Sequence, residues 1–229
     1  MKPVRTLIAL LLVVGIPFGA MIWYRNHQSS GFASIELIAY PLIFGGSGII
    51  VLLLLKRFFL KEELGDFNTE NGSLGSDILW GLALTGIYFL LFTLERVALT
   101  GLLPFTPNDE LLGLMLDMRE RPWMVLVWFG PVLWIGVALY EELVRAFLLT
   151  SLWPLATHPA WVGAVIVGAA TLMGLTHWSQ GPYGIVTIAI KSVVTGVFYY
   201  RRRRLLPLIV AHALYDGIQV GLLLLTYPR

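Results

Sequence analysis

The 229-residue chain contains no cysteine, which removes disulfides, thiolate metal sites and cysteine nucleophiles together. It is also poor in charge. Asp, Glu, Lys and Arg make up 13% of the residues, against roughly 25% in soluble domains, and a water-soluble globule is excluded on that ground. No stretch alternates apolar and polar residues as the strands of an outer-membrane barrel do. There is no internal repeat and no separate soluble domain. The chain has instead 57% hydrophobic residues, a mean hydropathy of +0.78, and several apolar runs beyond the roughly 20 residues an α-helix needs to cross the hydrocarbon core. The expected fold class is all-α: a polytopic transmembrane helical bundle of about seven spans, forming a single membrane-embedded domain over residues 1–229.

The first span is expected at about 5–24. Its apolar core is long for a signal peptide and it ends in the interfacial pair Trp23 and Tyr24, so an uncleaved helix is preferred. A second span follows at 33–55. Residues 56–77 replace the apolar pattern with Lys, Glu, Asp, Asn, Gly and Ser and read as a solvated loop. A third span covers 78–103, and 104–121 mixes acids with Leu and Met in the manner of an interfacial helix. The block 122–153 is longer than one perpendicular crossing, so it tilts or bends at Pro131. Shorter spans at 160–176 and 183–200, the basic run Arg201 to Arg204, and a last span at 205–227 complete the count.

Ionisable residues are costly in lipid, about 2.5–3.5 kcal/mol each near the bilayer centre, so each needs a partner or a use. They gather in the second half: Glu141, Glu142 and Arg145 in the fourth span, His177 closing the fifth, Lys191 in the sixth, His212 and Asp216 in the seventh. Residues four apart share a helix face, so Glu141 is placed to reach Arg145 and His212 to sit over Asp216. Mutual neutralisation would account for one such pair. Acid–base groups on three helices fit a hydrolytic pocket better, with a carboxylate as general base and imidazoles polarising a scissile carbonyl. Glu95 and Arg96 also lie deep in a span, point apart and require separate partners, and Lys191 is expected either to pair with a carboxylate or to snorkel.

The pieces Glu-Glu-Leu-Val-Arg-Ala-Phe-Leu-Leu from Glu141, Met-Gly-Leu-Thr-His from Met173 to His177, and Pro-Leu-Ile-Val-Ala-His-Ala-Leu-Tyr-Asp from Pro207 to Asp216 resemble the three ordered motifs of the CAAX-protease/Abi (CPBP) intramembrane protease family. That family includes the type II CAAX prenyl endopeptidases, and this short chain resembles its bacterial branch. The motif-bearing core is about 122–227. Met173 stands where the family usually has Phe. The first motif has one residue fewer between the glutamate pair and the arginine, so two registers follow, one anchored on the pair and one on Arg145. The resemblance implies that Glu141 or Glu142 activates water, that His177 and His212 bind or polarise the carbonyl, that Asp216 assists and that Arg145 positions the carboxylates. Glu141 occupies a motif position in either register and is the expected base, with Glu142 as helper.

No cofactor is required by the sequence. Zn is the candidate metal, with His177, His212 and Asp216 as its ligands, but the His-Glu-x-x-His pattern is absent and metal independence is preferred. The expected partners are the bilayer and a membrane-associated peptide or protein substrate, with no nucleic acid. Gly45-Gly46-Ser47-Gly48 has the shape found around rhomboid serine nucleophiles, which makes Ser47 the rival site, although small residues in a membrane helix ordinarily serve close packing. A transporter or a silent membrane scaffold are the rivals from other classes.

With the N-terminus in the cytoplasm of a bacterial plasma membrane, Lys2, Arg5, Lys56, Arg57, Lys61 and Arg201 to Arg204 lie inside, against Arg25, Arg119, Arg121 and Arg229 outside. The four-arginine run is then a topology anchor with anionic-lipid contact. Reporter fusions at Asn71 and Arg229 should therefore read out on opposite sides of the membrane, and a shared side would remove one span.

Overall fold

The computed structural model describes residues 2–27, 33–104 and 109–227. Arg229 and residues 105–108 lie outside the described residues, as do the side chains of Lys2 and Arg25. Helix α1 occupies 2–27, followed by α2 (Glu36–Phe59), α3 (Leu74–Leu99), α4 (Asp109–Arg119), α5 (Pro122–Leu155), α6 (Pro159–Thr176), α7 (Gly181–Arg202) and α8 (Leu206–Thr226). No strand occurs among the described residues. Helices α2, α3, α5, α6, α7 and α8 are long and apolar enough to cross a membrane, and α1 carries a shorter apolar segment, Pro3–Gly15. About seven spans is the architecture observed.

Local chemistry sets the helix ends. Glu36 reaches back to accept from the Ala33 N–H at 2.8 Å and also accepts from the Tyr24 hydroxyl at 3.0 Å, which opens α2. Ser73 caps α3 by accepting from the Ser76 N–H at 3.2 Å, and Pro159 begins α6 where a missing N–H costs nothing. The long fourth block bends: Gly130, directly before Pro131, has φ −88° and ψ −112°, outside helical space.

The chain divides into two compact units. The first comprises Met1–Lys61, Asn108–Glu141 and His212–Arg229; the second comprises Glu62–Pro107 and Glu142–Ala211. In the first unit, α2 and α5 meet backbone to backbone. A Cβ on Gly45 would overlap the Gly136 backbone, and one on Gly136 would lie 2.8 Å from the Pro41 carbonyl. Glycine at both positions permits the approach that dispersion and Cα–H···O contacts reward in lipid. Arg119 of α4 donates to the Leu224 and Tyr227 carbonyls, at 3.4 and 3.0 Å, where α8 runs out of its own donors.

In the second unit, α6 and α7 form an antiparallel hairpin turned at Gly181, φ 73°. Gly174 lies against the Ile185 carbonyl and Gly196 against the Ile166 side chain. The inner face of α7 is polar: Thr187, Lys191, Thr195 and Tyr199 recur every four residues and are all buried, with Ser192 beside them. Outward positions are apolar, as with Val97 on α3, 83% exposed, which suits a lipid surround rather than water.

The segment expected as a solvated loop at 56–77 is more ordered than its composition suggests. Helix α2 continues through Lys56 and Arg57 to Phe59, and Lys56 is buried at 1% exposure rather than solvated. In the second unit, Phe67 is buried and its carbonyl accepts from the Tyr199 hydroxyl at 3.1 Å, Asn68 accepts from the Leu205 N–H at 2.9 Å, and Asp77 pairs with Arg204 inside the first turn of α3. The hydrogen bond to Asp77 holds the Arg204 guanidinium above its ordinary pKa.

Gly136→Leu should lower the thermal midpoint of detergent-solubilised protein by the equivalent of about 1–3 kcal/mol of overpacking. Gly86→Ala, where an added Cβ meets nothing within 4 Å, should leave the midpoint unchanged or raise it. Equal loss in both variants would remove the glycine crossing as the reason.

Candidate active site

Three of the expected site residues come together in the first unit. His212 and Asp216 lie one turn apart on α8, and the imidazole Nε2 stands 3.2 Å from Asp216 Oδ2. The same nitrogen is 3.9 Å from Oε2 of Glu141 on α5. Asp216 is thus within hydrogen-bond range and Glu141 just beyond it. Among the described residues Glu141 has no hydrogen bond, and its side chain keeps 24% of its surface, against 15% for His212. The group is a part-exposed carboxylate facing an imidazole that a second carboxylate orients.

Glu142 and Arg145 belong to the second unit, where they pair with each other. Arg145 Nη1 donates to Glu142 Oε2, and Nη2 donates to the Ser192 hydroxyl of α7 at 3.2 Å. Both partners are buried, Glu142 to 2% exposure. The sequence spacing places Glu141, four residues before Arg145, as its partner; the structure uses Glu142, three before. Both spacings bring a side chain within reach of Arg145, from opposite sides of one helix face, and it is Glu142 that takes the pair. Ser192 has no counterpart in the sequence reasoning. The one signal was its place beside Lys191 in an otherwise apolar span.

His177 closes α6. Its Nδ1 lies 3.0 Å from the Met173 carbonyl and 3.1 Å from the Thr176 hydroxyl, which itself donates to Met173 O at 2.6 Å. A carbonyl only accepts, so Nδ1 carries the proton in the neutral ring and Nε2 presents a lone pair. In the neutral ring so placed, Nε2 is the acceptor. Met173, in the position usually held by Phe, is buried at 4% exposure and serves packing.

The two orphan charges of the sequence also resolve. Lys191 donates to Glu95 Oε2 and to the Thr187 carbonyl at 3.4 Å, a buried ion pair within the second unit. Arg96 is exposed. Ser47 donates to the Ile43 carbonyl at 2.5 Å and lies 3.2 Å from that of Phe44, bonding to its own helix rather than to a histidine. Its neighbour Gly48 packs against the Tyr140 ring. Among the described residues no three His, Asp or Glu side chains converge in a way that could hold a metal ion.

No curated protein and no solved structure matches the chain. A family model does: residues 121–218 match the type II CAAX prenyl endopeptidase Rce1-like family, a segment that takes in all three motifs from Glu141 to Asp216. Over that segment, a little under half of its length, the chain is similar to the Rce1-like family.

Proposed function

We propose that the chain is an intramembrane endopeptidase that hydrolyses a peptide bond of a membrane-associated peptide or protein, with Glu141 as general base. The observation that carries this is the division of labour between adjacent glutamates. Glu142 is buried against Arg145, whereas Glu141 is part-exposed, without a hydrogen bond among the described residues, and beside an imidazole. The family description names prenylated CAAX ends as substrates; the class proposed here is the wider one. The membrane proposed is a bacterial plasma membrane, and the charge distribution of the flanks supports an N-terminus in the cytoplasm.

In the reaction, Glu141 takes a proton from water as the water oxygen attacks the peptide carbonyl carbon. The negative charge on the tetrahedral oxygen is met by His212, held in place by Asp216 at 3.2 Å. The C–N bond then breaks, and the proton on Glu141 passes to the leaving nitrogen. His177 is assigned to the reaction by the motif it closes and by the lone pair at Nε2, which suits accepting a hydrogen bond from water or a substrate N–H. Arg145 and Ser192 hold Glu142 and so fix the rotation of α5 at the motif.

Comparing membrane peptides in cells carrying the wild type and His212→Ala identifies substrates; identical peptide profiles would count against the assignment. On a cleaved peptide, Glu141→Gln should lower turnover by roughly 10² or more with an unchanged thermal midpoint. Glu142→Gln should instead cost stability, because it leaves Arg145 buried without its countercharge, about 3–5 kcal/mol in comparable cases. Wild-type cleavage by Glu141→Gln overturns its role as base.

His177→Ala and His212→Ala should each abolish cleavage in inserted protein, and Ser47→Ala should leave it nearly intact. The reverse pattern would favour the serine nucleophile. A chelator should have little effect on the purified protein, while inactivation reversed by Zn²⁺ would bring the metal back into the mechanism.

A further inference from the structure

The run Arg201 to Arg204 is uniform in sequence and divided in space. Arg203, in the left-handed conformation that ends α7 (φ 46°), lies over the Trp153 ring at 4.3 Å and over Tyr200 at 5.5 Å. Arg204 is engaged by Asp77 and by the carbonyls of Glu70 and Gly72, at 3.2 and 3.4 Å. These two staple the second unit. Arg201 and Arg202 do not: among the described residues neither has a hydrogen bond or ion pair, and the Arg202 guanidinium lies over the Trp80 ring, 4.4 Å from its centroid.

Arg201 and Arg202 line a small cleft with Asn71, Ser76 and Trp80. Its charge is unbalanced. Asp77 is neutralised by Arg204, so Glu70 is the one remaining carboxylate at the rim against two arginines. The location is equally specific, because α3 begins at Leu74 and α7 ends at Arg202, so the cleft sits where two candidate spans leave the apolar layer. Trp80, six residues or about 9 Å into α3, is 41% exposed, a position and residue type suited to the headgroup boundary.

We infer that this cleft is a binding site for a phosphate group, that of an anionic phospholipid headgroup, with Arg201 and Arg202 as its ligands and Trp80 as the wall along which the lipid descends. Guanidinium N–H groups match phosphate oxygens in pairs, and the Trp80 ring beneath the Arg202 guanidinium limits the positions that fork can take. The site is independent of the proposed hydrolysis and uses none of its residues.

The test uses the full chain in detergent, titrated with phosphatidylglycerol or phosphatidylcholine and read by native mass spectrometry. Wild type should retain phosphatidylglycerol in preference to phosphatidylcholine. Arg201→Gln with Arg202→Gln should weaken that retention by about tenfold or more, and the double lysine variant should recover part of it. A separate arm adds inorganic phosphate. No displacement of phosphatidylglycerol identifies the lipid as the source, whereas displacement at millimolar phosphate shows the same site taking free phosphate. Equal retention of both lipids by wild type, or undiminished phosphatidylglycerol binding by the double glutamine variant, overturns the inference. Arg201→Gln alone, at an exposed residue, is measured as well, so that poor recovery of the double variant leaves the question decided.

Discussion

The buried pair between Arg145 and Glu142 is the interaction on which the arrangement of the motif helix depends. An unpaired charge at that depth would be costly, and Arg145 is a permanent cation, so one carboxylate must turn toward it. Once Glu142 does so, the rotation of α5 is set. Glu141, about 100° away, faces elsewhere. Ser192 adds a second acceptor for the guanidinium and ties the pair to α7. A chemically symmetrical pair of glutamates in the sequence thus becomes two residues with different surroundings.

The same constraint organises the rest of the second unit. Helix α7 presents Thr187, Lys191, Thr195 and Tyr199 along one buried face, and each has a named partner: the Gly184 carbonyl for Thr187, Glu95 for Lys191, Tyr88 at 2.5 Å for Thr195, and the Phe67 carbonyl for Tyr199. Polar groups inside and apolar side chains outside invert the soluble pattern. Hydrophobic burial between helices is a weak force when the surroundings are themselves apolar. Close approach at glycine and hydrogen bonds between helices take its place, which explains why Gly45, Gly136 and Gly174 sit at helix crossings while Gly86 faces open space.

The spans were legible in the sequence because the cost of exposing a backbone to lipid makes hydrophobic length a direct readout of a crossing. The bend was legible too, from Pro131, although the departure from helical angles falls on Gly130 before it. The polar segment at 56–77 was less so. Composition reports solvation but not the docking of a loop, and Lys56 and Asp77 are both buried. Partners were legible only within a turn. His212 and Asp216 are four apart and meet, whereas Lys191 finds Glu95 at a separation of 96 residues and Arg145 finds Ser192 at 47. Even within a turn, spacing alone left the choice between Glu141 and Glu142 open, since positions three and four before an arginine are both in reach.

Exposure then separates structure from chemistry among these carboxylates. A glutamate held at 2% exposure by an arginine has its oxygen engaged and is shielded from water, which suits it to fixing geometry. A general base must be able to gain and lose a proton, and so must reach water and leave its lone pairs unfilled at rest. In a membrane that condition carries a desolvation penalty, and the penalty is smallest where the side chain keeps part of its surface open and a nearby imidazole stands ready to share the charge. Glu141, at 24% exposure and 3.9 Å from His212, meets both conditions without giving up its lone pairs to a permanent cation.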